Sequence, residues 1–132
     1  MPSRSMDWLK QAKRDLEEAE GSLNNEKYEW ACFASQQSAE KAVIALYHSI
    51  NKKIWSQSVS RMLSQLTEFN IDNNIIARAM ELDRVYIGSR YPDYYTEGSP
   101  FEYYSIEDAK IIEMLIKTLI IVSKCRQDRW IG

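Results

Sequence analysis

The chain has 132 residues, of which 45% are hydrophobic and 27% are charged. This length predicts one domain over residues 1–132, and the apolar fraction excludes an intrinsically disordered chain. Seventeen Lys and Arg against nineteen Asp and Glu give a net charge of −2, which argues against a protein that binds nucleic acid mainly through phosphate contacts.

Composition also disfavours membrane, secreted and metal-binding proteins. No apolar run approaches the roughly 20 residues of a membrane span, and the N-terminal residues lack the apolar core of a signal peptide, so we expect a cytoplasmic protein. Cys32, Cys125 and the single histidine, His48, are too few for a disulfide scaffold or a four-ligand zinc site. Both cysteines stand in apolar stretches, which predicts buried thiols.

Helical periodicity begins close to the N-terminus. Residues 6–24 carry apolar side chains on one face at helical spacing, with Ser5 as the predicted N-cap. Residues 27–51 form a second predicted helix with two apolar faces. One face is rich in small residues, which favours close packing against another helix. The opposite face carries Trp30, Phe33, Gln37, Lys41, Ile44 and His48. The second helix should therefore be central or lie at an interface.

Three further helices are predicted at residues 57–69, 72–87 and 106–127. Ser105 and Asp108 have the spacing of a capping box for the last of them. Residues 87–104 separate the last two helices and hold five of the eight tyrosines; loops of this length are often functional. The pattern predicts an all-α fold, an up-and-down antiparallel bundle of four or five helices.

Three segments resemble the HEPN domain family. Residues 8–16 resemble its first helix, and residues 28–42 resemble its second-helix signature, in which Gln37, Glu40 and Lys41 match a Gln-x-x-Glu-Lys core. Residues 82–93, followed by 105–109, resemble the family's Arg-Tyr-Pro variant of the entry to the last long helix.

The resemblance implies a small helical bundle, usually a homodimer, in a family named for nucleotide binding. Many prokaryotic members form a complex with a minimal nucleotidyltransferase, and some such pairs are toxin–antitoxin systems. Other members are metal-independent ribonucleases that use an Arg followed, after a short spacer, by a His. Apart from a nucleotide ligand, no cofactor and no metal is expected.

The chain departs from that ribonuclease pattern. His48 lies on the second helix, and no histidine follows Arg84 or Arg90 at the family's spacing. Gln57 stands where a related family stretch often has His. Because acid–base cleavage of RNA usually relies on a histidine, no catalytic residue is predicted.

Two groups of residues are candidate functional sites. Gln37 and Lys41 share a face of the second helix, with Glu40 beside them, and this polar patch could position a phosphate or a partner's carboxylate. The alternative is a structural hydrogen-bond network that ties the second helix to its neighbours. Trp30, Phe33 and Ile44 extend the same surface as a predicted partner face.

The second group combines arginine with tyrosine and consists of Arg84, Arg90, Tyr91, Asp93, Tyr94 and Tyr95. A guanidinium can bind phosphate and tyrosine rings can stack on bases, so a nucleotide site is predicted here, with Lys41 contributing from the second helix. The alternative is a lid in which Arg90 satisfies carbonyls at a helix end. The predicted ligand-binding residues are Lys41, Arg84, Arg90, Tyr91 and Asp93.

The leading functional hypothesis is a nucleotide-binding HEPN protein, homodimeric, that partners a minimal nucleotidyltransferase. A HEPN ribonuclease toxin with a degenerate site, and a plain protein-interaction module, are the alternatives.

Overall fold

The computed structural model describes residues 4–54, 56–69 and 71–109 of the chain. Within these ranges all regular structure is helical, which confirms the predicted all-α fold class. The helices are α1 (Ser5–Asn24), α2 (Tyr28–Ser49), α3 (Val59–Ser64), α4 (Asn73–Gly88) and α5 (Pro100–Tyr103), with a 3-10 turn at Pro92–Tyr94 between α4 and α5. None of the helices in the described ranges is long and apolar enough to cross a membrane.

Helices α1 and α2 form an antiparallel hairpin with the most extensive packing of the bundle. Small residues permit a close approach: Ala12 and Ala19 of α1 are buried, and the buried Ser38 hydroxyl of α2 donates to the Ala12 carbonyl at 2.6 Å. The turn between the helices places Glu26 at a positive φ of 60°. Each of the two helices begins and ends within two residues of its predicted bounds.

The two faces predicted for α2 differ in how far they are covered. The small-residue face lies in the core, where Cys32, Val43 and Leu46 are buried with their alanine neighbours. On the opposite face Phe33 and Ile44 are partly buried, while Trp30 remains 50% exposed. Large apolar surface on this side of α2 is therefore left in solvent.

Helix α3 is shorter than predicted. It ends at Ser64, and Leu66 and Phe69 are buried in the turns that follow rather than on the helix. Its start is held by α4, because the Asp83 carboxylate accepts from the backbone N–H of Val59 at 2.7 Å and from the Ser58 hydroxyl at 2.9 Å. This contact packs α3 onto α4.

Two predicted helix caps have different outcomes. Ser5 is not a cap: α1 begins at Ser5 itself, after Arg4, which makes no capping hydrogen bond. The Ser105–Asp108 capping box is confirmed, because the Ser105 N–H donates to the Asp108 carboxylate at 2.9 Å and the Asp108 N–H to the Ser105 hydroxyl at 3.4 Å. Residues 106–109 are helical as predicted. The rest of that predicted helix, with Cys125, lies outside the described residues.

Candidate functional site

Arg90 closes the C-terminal end of α4. Its Nε and Nη2 donate to the Tyr86 carbonyl oxygen at 3.0 and 2.7 Å. The guanidinium also lies over three rings, 4.2 Å from the centroid of Phe33, 4.9 Å from Tyr86 and 5.0 Å from Tyr91. These contacts use part of the donor fork and cover the guanidinium with aromatic surface. Arg90 therefore joins the end of α4 to α2, and its bonds to the Tyr86 carbonyl are those of the predicted alternative. Tyr91 is 49% exposed and packs on the Arg90 guanidinium.

Arg84 lies in a different environment, a cavity of about 490 Å³ that we call the tyrosine cavity. It is exposed and makes no hydrogen bond or ion pair with any other described residue. Arg78, Glu81 and Asp108 supply the other charges of the cavity. Its remaining lining residues are Val85, Tyr94, Tyr95, Tyr103 and Tyr104.

The rings of the tyrosine cavity hold one another in place. The Tyr95 hydroxyl donates to the Gly88 carbonyl at 2.8 Å and forms a hydrogen bond with the Tyr104 hydroxyl at 3.2 Å. Tyr95 and Tyr103 stack with centroids 3.9 Å apart, and Tyr94 meets Tyr95 edge to face at 5.0 Å. Burial, followed by the hydrogen bond with Tyr95, raises the pKa of Tyr104 above its usual range. The rings are therefore preorganised by their contacts with one another, and Tyr104 is in its neutral form.

Gly88 lets the end of α4 approach this cluster closely. A Cβ at Gly88 would lie 3.0 Å from the hydroxyl oxygens of Tyr95 and Tyr104 and 3.1 Å from the Tyr94 ring. The close approach lets Tyr95 satisfy a carbonyl at the end of α4. Sequence reasoning missed Tyr103 and Tyr104, although the density of tyrosines in residues 87–104 indicated an aromatic cluster.

A groove of about 740 Å³ runs between α1 and α2, and we call it the α1/α2 groove. Lys41 lies in it, but its Nζ is 2.5 Å from the Asp15 carboxylate, in a pair whose side chains are only 22% and 19% exposed. Trp30 and Phe33, edge to face at 6.2 Å, line the same groove with Gln37. In this structure Lys41 neutralises a carboxylate of α1.

Amide and carboxyl groups of α2 form a network beside that ion pair. Gln37 Nε2 donates to the side-chain oxygen of Gln36 at 2.7 Å, and both amides donate to the Glu40 carboxylate at 3.4 Å. Gln36, which is fully buried, also donates to the Gln57 backbone carbonyl at 3.4 Å. Desolvation raises the pKa of Glu40. The network ties α2 to the α2–α3 connection and matches the predicted structural alternative; sequence reasoning missed Gln36.

The five predicted ligand-binding residues therefore lie in separate places. Lys41 lines the α1/α2 groove, and Arg84 lines the tyrosine cavity. Arg90 packs on Phe33 of α2, and Tyr91 packs on the Arg90 guanidinium. Asp93 is exposed in the 3-10 turn, and within the described residues no hydrogen bond joins it to Arg90. The described residues also contain no group of three His, Cys, Asp or Glu that could hold a metal ion.

A model of the HEPN domain matches residues 5–126. The chain belongs to the HEPN family. No curated protein sequence matches it. Among solved structures, it is 32% identical to a protein from Thermus thermophilus, with a TM-score of 0.90 over 95% of this chain and 99% of that one.

Two further crystal structures are similar and carry the family name. An archaeal HEPN homologue is 40% identical, with a TM-score of 0.79 over 96% of this chain and 98% of the homologue. A HEPN domain protein from Thermotoga maritima is 32% identical, with a TM-score of 0.76 over 93% of this chain and 98% of that protein. The resemblance of the three sequence segments to this family is thereby confirmed.

The histidine of this HEPN protein is far from Arg90. His48 packs near Trp8 of α1, with ring centroids 5.9 Å apart. Arg90 contacts Phe33, and His48 lies fifteen residues further along α2, about 22 Å at the rise of an α-helix. Gln57, which stands where a related family stretch often has His, donates to the Tyr86 hydroxyl at 2.9 Å. Within the chain, His48 and Arg90 are therefore apart.

Proposed function

We propose that this HEPN protein binds a nucleotide in the tyrosine cavity and acts as the partner of a minimal nucleotidyltransferase. The observation that carries the first half is the position of Arg84, an exposed guanidinium without a partner among the described residues, at the wall of a cavity lined by four tyrosines. The second half rests on what the family resemblance implies.

The chemistry of the tyrosine cavity suits a nucleotide. A guanidinium can bind a phosphate through two parallel hydrogen bonds. Tyr94 and Tyr103 are 51% and 47% exposed, so each offers ring surface on which a base can stack. Stacking of this kind contributes about 1–3 kcal/mol per base. The cavity volume of about 490 Å³ also falls within the usual range for small-molecule sites.

The proposal keeps Arg84 from the sequence-predicted set and gives the others different roles. Arg90 is a positioning residue, because it bonds the Tyr86 carbonyl near the end of α4 and packs on Phe33 of α2, while Tyr91 packs on the Arg90 guanidinium. Lys41 forms an ion pair with Asp15 between α2 and α1, and Asp93 is not among the described residues that line the cavity. Nucleotide recognition thus depends on Arg84, on Tyr94 and on Tyr103, of which only Tyr103 was not singled out from the sequence.

Isothermal titration calorimetry with nucleoside mono-, di- and triphosphates tests nucleotide binding. We expect wild-type protein to bind at least one of them and Arg84→Ala to weaken binding at least tenfold. Arg61→Ala, which removes an exposed arginine from α3, is the matched control and should bind like wild type. Binding that survives Arg84→Ala undiminished would place the site elsewhere.

The partner half of the proposal uses the exposed face of α2. Trp30, half exposed beside Phe33 and the α1/α2 groove, provides apolar surface of the kind that protein interfaces bury. Glu40 and Ile44 extend that side of α2 along a smaller cavity of about 360 Å³. A second copy of the chain or a nucleotidyltransferase could cover this face.

Co-purification from the native host distinguishes these occupants. We expect wild-type protein to retain a minimal nucleotidyltransferase identified by mass spectrometry, and Trp30→Glu to lose it. A surface variant of matched charge, Gln65→Glu at the end of α3, should retain the partner. Retention by Trp30→Glu would exclude this face. A stable wild-type protein with neither a nucleotidyltransferase nor a nucleotide bound would favour the plain interaction module.

A further inference from the structure

We infer that the tyrosine cavity selects a ligand with a single terminal phosphate group, so that a nucleoside monophosphate binds more tightly than the di- or triphosphate. This inference rests on the proposed function, since it assigns a ligand class to the same site. It follows from how the charged groups around Arg84 are already paired.

Four charged residues line the cavity, and three of them are engaged with their neighbours. Arg78 and Glu81 form an ion pair at 3.8 Å, one turn apart on α4. The Asp108 carboxylate accepts from the Ser105 N–H at 2.9 Å and from its hydroxyl at 3.0 Å. Of the two cations lining the cavity, Arg84 alone has no anionic partner within the described residues.

One guanidinium can saturate one phosphate, and the surroundings oppose a second. Glu81 precedes Arg84 by three residues on α4, and side chains at this spacing are neighbours on a helix surface. Asp108 lines the same cavity. A longer phosphate chain would therefore bring additional negative charge towards two carboxylates, with no further unpaired cation among the described lining residues to receive it.

The direction of α4 adds to this effect. The helix ends at Gly88, four residues after Arg84, and a helix C-terminus carries partial negative charge. This end of a helix disfavours anions, in contrast to the N-terminal ends that commonly bind phosphate groups. Arg84 is thus a local exception on a surface that otherwise repels phosphate.

The ring arrangement determines where the base would lie. One face of the Tyr95 ring is covered by Tyr103 at a centroid distance of 3.9 Å, and Tyr94 packs against Tyr95 edge to face. The exposed parts of Tyr94 and Tyr103 remain for a base to stack on. A nucleoside monophosphate provides one ring system and one phosphate, which matches what the cavity offers.

The experiment is calorimetric titration of wild-type protein with AMP, ADP and ATP, and with the guanosine series, at low salt with EDTA present so that no Mg²⁺ masks the phosphate charges. We expect the monophosphate of the preferred base to bind at least fivefold more tightly than its triphosphate. Because the preference for the monophosphate is electrostatic, raising the salt concentration should reduce the difference in affinity between the monophosphate and the triphosphate.

Glu81→Gln provides the decisive variant. It removes one repelling carboxylate and releases Arg78, so triphosphate affinity should rise more than monophosphate affinity. The ratio of monophosphate to triphosphate affinity should therefore fall at least threefold. The matched control is Glu17→Gln, which breaks an exposed i,i+3 ion pair with Arg14 on α1. This variant should leave the ratio of monophosphate to triphosphate affinity unchanged.

The outcomes separate this inference from the proposed function. If ATP or GTP binds as tightly as its monophosphate while Arg84→Ala abolishes binding, the inference is wrong and nucleotide binding at Arg84 stands. If Glu81→Gln leaves the ratio of monophosphate to triphosphate affinity unchanged, the inference is also wrong. If no nucleotide of any phosphate length binds, or if Arg84→Ala binds normally, the proposed function itself fails.

Discussion

Replacing Lys41 by Met tests whether the polar patch on α2 is a structural element. The substitution keeps most of the apolar stem but leaves the Asp15 carboxylate, 19% exposed, without its cation. Breaking a fully buried pair costs about 3–5 kcal/mol, whereas exposed pairs contribute about 0–1 kcal/mol. A pair that is about four-fifths buried falls between these limits. We expect Lys41→Met to lose about 1–3 kcal/mol of the free energy of unfolding.

The measurement is urea unfolding followed by tryptophan fluorescence, for wild type, Lys41→Met, Asp15→Asn and the double variant. A coupling energy of about 1–2 kcal/mol is expected, because each single variant strands its partner. Lys52→Met removes a more exposed pair with Glu68, 42% exposed on both sides, and should cost much less. A coupling energy near zero, or an equal loss in Lys52→Met, would refute the structural role.

Four further predictions concern protonation, accessibility, assembly and catalysis. Since burial raises the pKa of Glu40, its ionised form destabilises the folded state at neutral pH. The free energy of unfolding therefore falls as pH rises from the ordinary pKa of 4.5 through the higher pKa of the folded state. Glu40→Gln should raise the urea midpoint at pH 7 more than at pH 4.5, and a lower midpoint at pH 7 would contradict this. Burial raises the pKa of Cys32 to about 12, so iodoacetamide should modify the Cys32 peptide only in denaturant, as mass spectrometry can show. Where no nucleotidyltransferase is bound, a second copy should cover the Trp30 face, so light scattering of the purified protein should give a dimer for wild type and a monomer for Trp30→Glu; a monomeric wild type at micromolar concentration would exclude this interface. Purified protein should not cleave RNA without metal, and cleavage that disappears in both His48→Ala and Arg90→Ala would show that a second chain brings these residues together.

Local patterns were sufficient for much of the fold. The one-sided periodicity of α1 and the small-residue face of α2 depend only on neighbouring residues, and their helix bounds follow closely. The Ser105–Asp108 capping box is equally local. For α3 the apolar spacing continues past the end of the helix because Leu66 and Phe69 are buried from turns instead. The apolar spacing therefore indicates which residues are buried, but buried residues can also lie in turns beyond the end of the helix.

The candidate site depends on contacts between distant residues, and these were not accessible from the sequence. Lys41 reads as a free cation on α2, yet Asp15 neutralises it from α1. Arg90 reads as a phosphate ligand, yet the Tyr86 carbonyl and the Phe33 ring engage its guanidinium. Residue type correctly indicated arginine and tyrosine chemistry, but only the fold shows that Arg84 is the arginine of the cavity left without a partner among the described residues.

The contacts of Arg90 also determine which substitution is informative. Phe33 has the Arg90 guanidinium against its ring and lines the α1/α2 groove, so Arg90 links the exposed face of α2 to the end of α4. Replacing Arg90 would release the Tyr86 carbonyl and disturb the partner face and the tyrosine segment together. A loss of nucleotide binding in that variant would then have two explanations. Arg84 is exposed and lines the tyrosine cavity, so its replacement tests recognition without altering the link between the two helices.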